Sequence, residues 1–279
     1  MASRLPGSGG GSAGYPRHVP ELVEVERYRA LSECALGRRV AAVESPDPWF
    51  LKGLVTPEHL ESALIDSRFV GARRIGKLLL LDVDTGAVVG IRFGMTGTLH
   101  IDGGDAVGPL LYAPTRNGPN WDRWSVRFAD GGRLVVHDPR RLGGVSLDPD
   151  VSGLGPDASS VGVAGLWSAL AGSSAPLKAR LLDQSRLAGV GNLIGDEVLW
   201  RAGLSPLRPA GSLSSAEVRV LHRNLGRTLA DLTERGGSHL GDLMEERHPG
   251  GICPKDGSPL TRSTVGGRTT WWCASHQKG

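Results

Sequence analysis

Cysteine is scarce. The 279 residues contain three, Cys34, Cys253 and Cys273, an odd number with two crowded near the end. That pattern excludes a disulfide framework and makes the reducing cytoplasm the expected compartment. Long apolar runs are missing too. Nothing approaches the roughly 18 to 20 residues needed to cross a bilayer, and no secretory h-region is present, so neither a membrane span nor an export signal is expected. Lysine is almost as sparse. Only five of the 32 basic residues are Lys, so the positive charge is mostly guanidinium, and the net charge of +3 points toward an anionic partner.

The first 19 residues include Gly-Ser-Gly-Gly-Gly-Ser, which cannot bury enough apolar area to offset its ordering entropy, and they read as a flexible tail. Organised sequence begins at Pro20-Glu21-Leu22-Val23-Glu24, where Pro at the first helical position and early carboxylates suit a helix opening. Alternating and continuous apolar runs between Gly and Asp turn signals make residues 38 to 147 β-rich, among them Leu78-Leu79-Leu80-Leu81 and Trp124 to Phe128. Cys34, isolated in this half, is expected to be an inert buried thiol. Residues 151 to 162 read as a linker. Helical periodicity then covers Val163 to Ala171, Lys178 to Gln184, Asn192 to Ala202 and Ser214 to Arg235. The last 32 residues change character again and form a Cys-bounded segment with Gly266-Gly267 at the turn of a hairpin.

That final segment carries a metal-ligand pattern. Cys253 and Asp256 are separated by two residues, sixteen residues intervene, and Cys273 and His276 repeat the spacing. Two thiolates, a carboxylate and an imidazole form an acceptable tetrahedral zinc set, and filling every position makes the ion structural. His248 competes with Asp256 as the fourth ligand. A metal-free hairpin held by Trp271 and Trp272 is the alternative.

In chain order, Pro20-Glu21, a lone Lys77 before an apolar strand, Gly94-Met95-Thr96-Gly97, Asp138-Pro139-Arg140-Arg141, Gly189-Val190-Gly191-Asn192 and the terminal hairpin together resemble the formamidopyrimidine-DNA glycosylase and endonuclease VIII family. The resemblance spans residues 20 to 279. It implies an α+β multidomain protein: an N-terminal β-sandwich (20 to 150), a helix-two-turns-helix bundle (163 to 247) and a C-terminal zinc finger (248 to 279). It also implies a monomeric base-excision-repair enzyme of the nucleoid that holds damaged double-stranded DNA, with one structural Zn2+ and no nucleotide cofactor.

Site roles follow from the same resemblance. Pro20 would attack the deoxyribose C1' through its amine and form a Schiff base. A terminal α-amine has a pKa of roughly 7.7 to 8.0 against about 10.4 for lysine, so it is substantially neutral in the cell. Glu21 would act as acid or base near the sugar, Lys77 as a proton donor or phosphate contact, and Arg268 as a phosphate contact aiding δ-elimination. Asn192 would bind phosphate together with helix-start amides, supported by Lys178. Met95, Arg140 and Leu142 would fill the gap left by the everted base, with Arg92 and Arg141 on the DNA backbone.

Two departures stand out. Pro20 is internal as written, and an amide nitrogen cannot form an imine, so the expectation is a start at Val19, read as GTG, followed by methionine removal. The alternatives are a catalytically silent damage sensor and a monofunctional glycosylase for bulky alkylated bases. Only fifteen residues separate Gly237 from Cys253, about half of what the formamidopyrimidine branch implies for the loop that closes over 8-oxoguanine. The expected pocket is open, favouring oxidised pyrimidines or bulkier adducts.

Overall fold

The computed structural model describes residues 20–107 and 119–279; the expected tail lies outside them. Two antiparallel sheets form the first half. One has the order β1 (Val40–Glu44), β7 (Asp122–Phe128), β8 (Arg133–His137), β5 (Thr98–Ile101) and β6 (Gly104–Asp105). The other runs β2 (Phe69–Ile75), β3 (Leu78–Val83), β4 (Val88–Arg92) and β9 (Gly144–Leu147). Their inward side chains make a common core that includes Leu79, Leu81, Trp124, Val126 and Phe128. Leu78 and Leu80 are buried as well but outside that core, so β3 is covered on both faces, which explains why its leucines run without alternation.

Helix α1 (Leu22–Ser32) joins this sandwich to the second half. Val25 and Tyr28 enter the sandwich core, where Tyr28 packs 4.4 Å from Phe93, whereas Leu22 and Val23 belong to the helical core. The head of α1 is therefore fixed where the two cores meet. Between the strands lies α2 (Pro57–Leu64), capped by Thr56 and opened by Pro57, within a stretch that reads as β-rich by pattern. Cys34 corrects an expectation. The 3-10 turn Glu33–Ala35 buries Ala35 and leaves the thiol exposed.

The helical half contains α3 (Val163–Leu170), α4 (Leu177–Leu182), α5 (Asn192–Ala202) and α6 (Ser215–Arg235). Ser214 and Glu217 cap α6 reciprocally, and Gly236 ends it at φ +105°. Residues 151–162 carry no helix or strand, yet they are not loose. Ala158 and Val161 lie in the helical core, and Ala158 N–H donates to the Ala188 carbonyl at 2.8 Å. Finally, β10 (Thr261–Val265) and β11 (Arg268–Trp272) form the terminal hairpin. Its turn rests on α4: a Cβ added to Gly266 would stand 3.2 Å from that of Ala179.

Candidate active site and nucleic-acid interface

Pro20 and Glu21 are both buried at the head of α1. The Glu21 carboxylate reaches across to α5. Its oxygens accept the N–H groups of Leu193 at 2.8 Å and Ile194 at 3.2 Å, in the first turn, where the helix dipole favours an anion. Gly191 makes this possible, because a Cβ there would lie 2.2 Å from the Glu21 carboxyl carbon. One part of the expected phosphate site is corrected by this contact. The helix-start amides of Leu193 and Ile194 serve Glu21 and are not open to a phosphate.

Glu24 locks the same corner. One of its oxygens accepts Glu21 N–H at 2.9 Å and the other accepts Ser238 N–H at 2.6 Å. Burial raises the pKa of this carboxyl, with the Glu21 charge adding to the effect.

Lys77 follows Gly76 at the β2–β3 turn, which sits against residues 188 and 189; a Cβ on Gly76 would meet the Ala188 Cβ at 2.7 Å. Asp157 accepts Gly76 N–H at 2.6 Å and binds Arg74 at 2.6 Å, tying the turn to the segment that enters the helical half. Burial lowers the pKa of the Lys77 ammonium, Glu21 and Glu24 oppose that shift, and Arg268 adds to it. Glu21, Glu24, Lys77 and the exposed Arg268 thus share one electrostatic neighbourhood.

Asn192 opens α5, with its side-chain oxygen 2.7 Å from Lys178 Nζ. Lys178 is fully buried. It also contacts Thr270 Oγ1 at 2.7 Å and Asp196 Oδ1 at 2.6 Å, and Arg247 holds the other Asp196 oxygen at 2.8 Å. The Asn192 side-chain oxygen is thus committed to the buried ammonium. Asp196 was missed by sequence reasoning, although it lies four residues after Asn192, one turn along the same helix face. Buried Glu197 was missed as well; it accepts the N–H groups of Asp242 and Leu243, both at 3.0 Å.

The proposed gap-filling residues come together on two touching loops. A Cβ on Gly94 would lie 2.5 Å from the Leu142 carbonyl carbon, so the loop bearing Met95 and that bearing Arg140, Arg141 and Leu142 pack backbone to backbone. Asp138 organises the second loop by accepting the Thr96 hydroxyl and the N–H groups of Arg140 at 3.2 Å and Gly143 at 2.8 Å. Leu142 is 48% exposed, Met95 is half-buried, and Arg92 is exposed at the end of β4. Arg141 has φ +58° and binds Asp47 at 2.7 Å.

At the hairpin, one ligand atom each from Cys253, Asp256, Cys273 and His276 lies within 4.8 Å of all the others. Cys253 Sγ is 3.3 Å from His276 Nδ1, and Cys273 Sγ is 3.4 Å from Asp256 Oδ2. Ligands about 2.0 to 2.3 Å from a tetrahedral zinc stand about 3.3 to 3.8 Å apart, a range that these two pairs and the 3.8 Å between His276 Nδ1 and Asp256 Oδ2 match, so the group could hold that ion. His276 Nε2 lies 2.9 Å from the Trp200 carbonyl, which orients Nδ1 inward. His248 is exposed, lies beside the Pro249 carbonyl at 3.0 Å and stands outside the group, which removes it as the fourth ligand. Trp271 is buried with its backbone N–H toward Asp196, and Trp272 donates to Ser263.

Residues 19–145 match the formamidopyrimidine-DNA glycosylase N-terminal domain and residues 153–242 match the formamidopyrimidine-DNA glycosylase H2TH domain. A formamidopyrimidine-DNA glycosylase of Thermus thermophilus is 34% identical, over 93% of this chain and 98% of its own. The chain belongs to the formamidopyrimidine-DNA glycosylase family. Its mixed sheet and helix architecture is that family's, and membership makes it a DNA glycosylase of base-excision repair. Two solved structures of the Lactococcus lactis enzyme superpose with TM-scores of 0.78 at 25% identity, covering 93% of this chain and all of theirs. One of those structures holds an N7-benzyl-Fapy-dG containing DNA, the other an oxidised pyrimidine containing DNA. Among the described residues no helix is long and apolar enough to cross a membrane.

Proposed function

We propose that this chain excises damaged bases from double-stranded DNA and then cuts the abasic strand, using the nitrogen of Pro20, freed as the first residue, as nucleophile. The reading is carried by the burial of Pro20-Glu21 at the head of α1, whose residues enter both cores, with Lys77 within electrostatic reach of Glu21, Glu24 and Arg268. The family match itself begins at residue 19.

In the proposed reaction the everted nucleotide presents C1' to the amine, whose lone pair forms the N–C1' bond as the bond to the base breaks. The base leaves with the electrons of the broken glycosidic bond and takes up a proton, and the ammonium formed at C1' gives up its own. Glu21, held by two amide donors, keeps its remaining lone pairs for the cationic sugar. The nitrogen lone pair then breaks the C1'–O4' bond, O4' leaves as a protonated hydroxyl, and an iminium remains; loss of a C2' proton expels the 3'-phosphate, with Lys77, its ammonium weakened by burial, as proton carrier. Arg268 and the Asn192 amide hold flanking phosphates, and Met95, Arg140 and Leu142 occupy the vacated stack, where an aliphatic wedge can unstack a base step. Cys253, Asp256, Cys273 and His276 would hold one Zn2+ that keeps the hairpin, and hence Arg268, in place; it supplies no chemistry.

Substrate preference follows from the short segment after α6. Ser238 is bound to Glu24, Asp242 and Leu243 to Glu197, and Arg235 to Asp242 at 2.7 Å, so little slack remains to fold over a base. Oxidised pyrimidines and bulkier adducts are therefore the expected substrates ahead of 8-oxoguanine. The enzyme would work in the cytoplasm, at the nucleoid. The test is a panel of lesion duplexes assayed with protein whose first residue is Pro20. Strand cleavage on oxidised pyrimidines and covalent capture of abasic DNA by borohydride support the reading; base release without cleavage or capture overturns it.

A further inference from the structure

Trp49 is an anomaly of the sandwich surface. It is 62% exposed, yet it stands on a stiff turn, Pro48–Phe50, anchored by the fully buried Phe50 and by Leu51. Its ring is attended by two cations, with Lys52 Nζ 4.0 Å and Arg141 Cζ 4.8 Å from the centroid. The turn is built into the loop that carries Arg140 to Leu142. Lys52 N–H donates to the Val145 carbonyl at 2.8 Å, and a Cβ on Gly144 would lie 2.5 Å from the Lys52 stem. Arg123 completes the unit by donating to the Asp138 carbonyl at 2.8 Å and approaching Asp47 at 3.3 Å. Asp47 serves two arginines, so the patch keeps an excess of positive charge.

A rigidly displayed indole with a flanking ammonium suits a partner that offers flat apolar surface beside anionic groups. We infer that Trp49 and Lys52 form a second DNA contact, gripping duplex that flanks the lesion on the side of the Arg140–Leu142 loop. The indole lies against deoxyribose or an exposed base edge while Lys52 meets a phosphate. This inference rests on the reading that the Arg140–Leu142 loop enters DNA. Continuity with that loop and charge complementarity select DNA over a protein partner.

The test compares binding to two duplexes carrying the same abasic analogue, one with long flanks on both sides and one trimmed close to the lesion. Trp49→Ala should weaken binding to the long duplex about tenfold, the loss of roughly 1.4 kcal/mol of stacking and packing, and leave the trimmed duplex unchanged. Lys52→Gln, which keeps the stem against Gly144, should weaken the long duplex alone and lower the salt slope by about one. Should Trp49→Ala lower the melting temperature, Lys52→Gln and Trp49→Phe carry the test. Wild-type affinity of these variants for the long duplex, alongside weakened binding by Leu142→Ala, overturns the inference and leaves the loop reading intact. If Leu142→Ala is also silent on both duplexes, the loop reading fails with it.

Discussion

Gly191→Ala probes the corner on which the active site depends. The backbone of Gly191, at φ −118° and ψ −164°, is extended and suits any residue, so the perturbation is steric. The new Cβ would lie 2.2 Å from the Glu21 carboxyl carbon and 2.5 Å from each of its oxygens, well inside contact distance. The carboxylate must leave the amides of Leu193 and Ile194, and each charge-assisted hydrogen bond is worth about 1.5 to 3 kcal/mol. The expected loss is about 3 to 6 kcal/mol, a large part of the roughly 5 to 15 kcal/mol that holds a domain folded. Denaturant unfolding should show a lower midpoint with an unchanged slope. In a Glu21→Ala background the three atoms nearest the new Cβ are gone, so Gly191→Ala should there cost less than about 1 kcal/mol, giving a large coupling energy between the sites. Equal costs in both backgrounds, or a wild-type midpoint for Gly191→Ala alone, would refute the reasoning.

Lys178→Met leaves Asp196 short of a partner in a buried site and should cost about 3 to 5 kcal/mol by denaturant unfolding; a change under 1 kcal/mol would show that the pair is not load-sharing. Arg268→Ala should leave the melting temperature alone, since the residue is exposed, while reducing the salt slope of DNA binding by about one. Chelation should remove one zinc per chain and abolish DNA binding, and metal analysis should find His248→Ala at one equivalent but Cys273→Ser at none. Burial lowers the pKa of Lys77, so below its ordinary value of about 10.4 the unfolded chain binds more protons than the folded one. Stability relative to Lys77→Met should therefore rise with pH from the lowered folded value up to that point, and a flat difference in melting temperature across the alkaline range would contradict the assigned burial.

Local chemistry made much of this readable in advance. Helical periodicity from Ser214 to Arg235 marks α6, and the apolar run Leu78-Leu79-Leu80-Leu81 marks strand β3. The ligand spacing of the hairpin marks a group that could hold a metal, although choosing Asp256 over His248 needed the fold, which turns His248 toward Pro249. Helix α2 was hidden by the β-rich pattern around it despite Thr56-Pro57 at its start. What could not be read were contacts between distant segments. Nothing near Glu21 announces that its carboxylate caps a helix 172 residues away, and nothing near Lys178 announces that Asp196 and Thr270 enclose it. Cys34 shows the same limit in reverse, since a one-residue difference in a 3-10 turn decides which side chain faces water.

The most direct measurement is a peptide map of the borohydride-trapped complex between abasic DNA and protein beginning at residue 20. The abasic remnant should reside on the nitrogen of Pro20, in the peptide that opens Pro20-Glu21-Leu22. A remnant on Lys77, or capture by protein whose intact mass shows residues 1 to 19 still attached, would contradict a proline nucleophile.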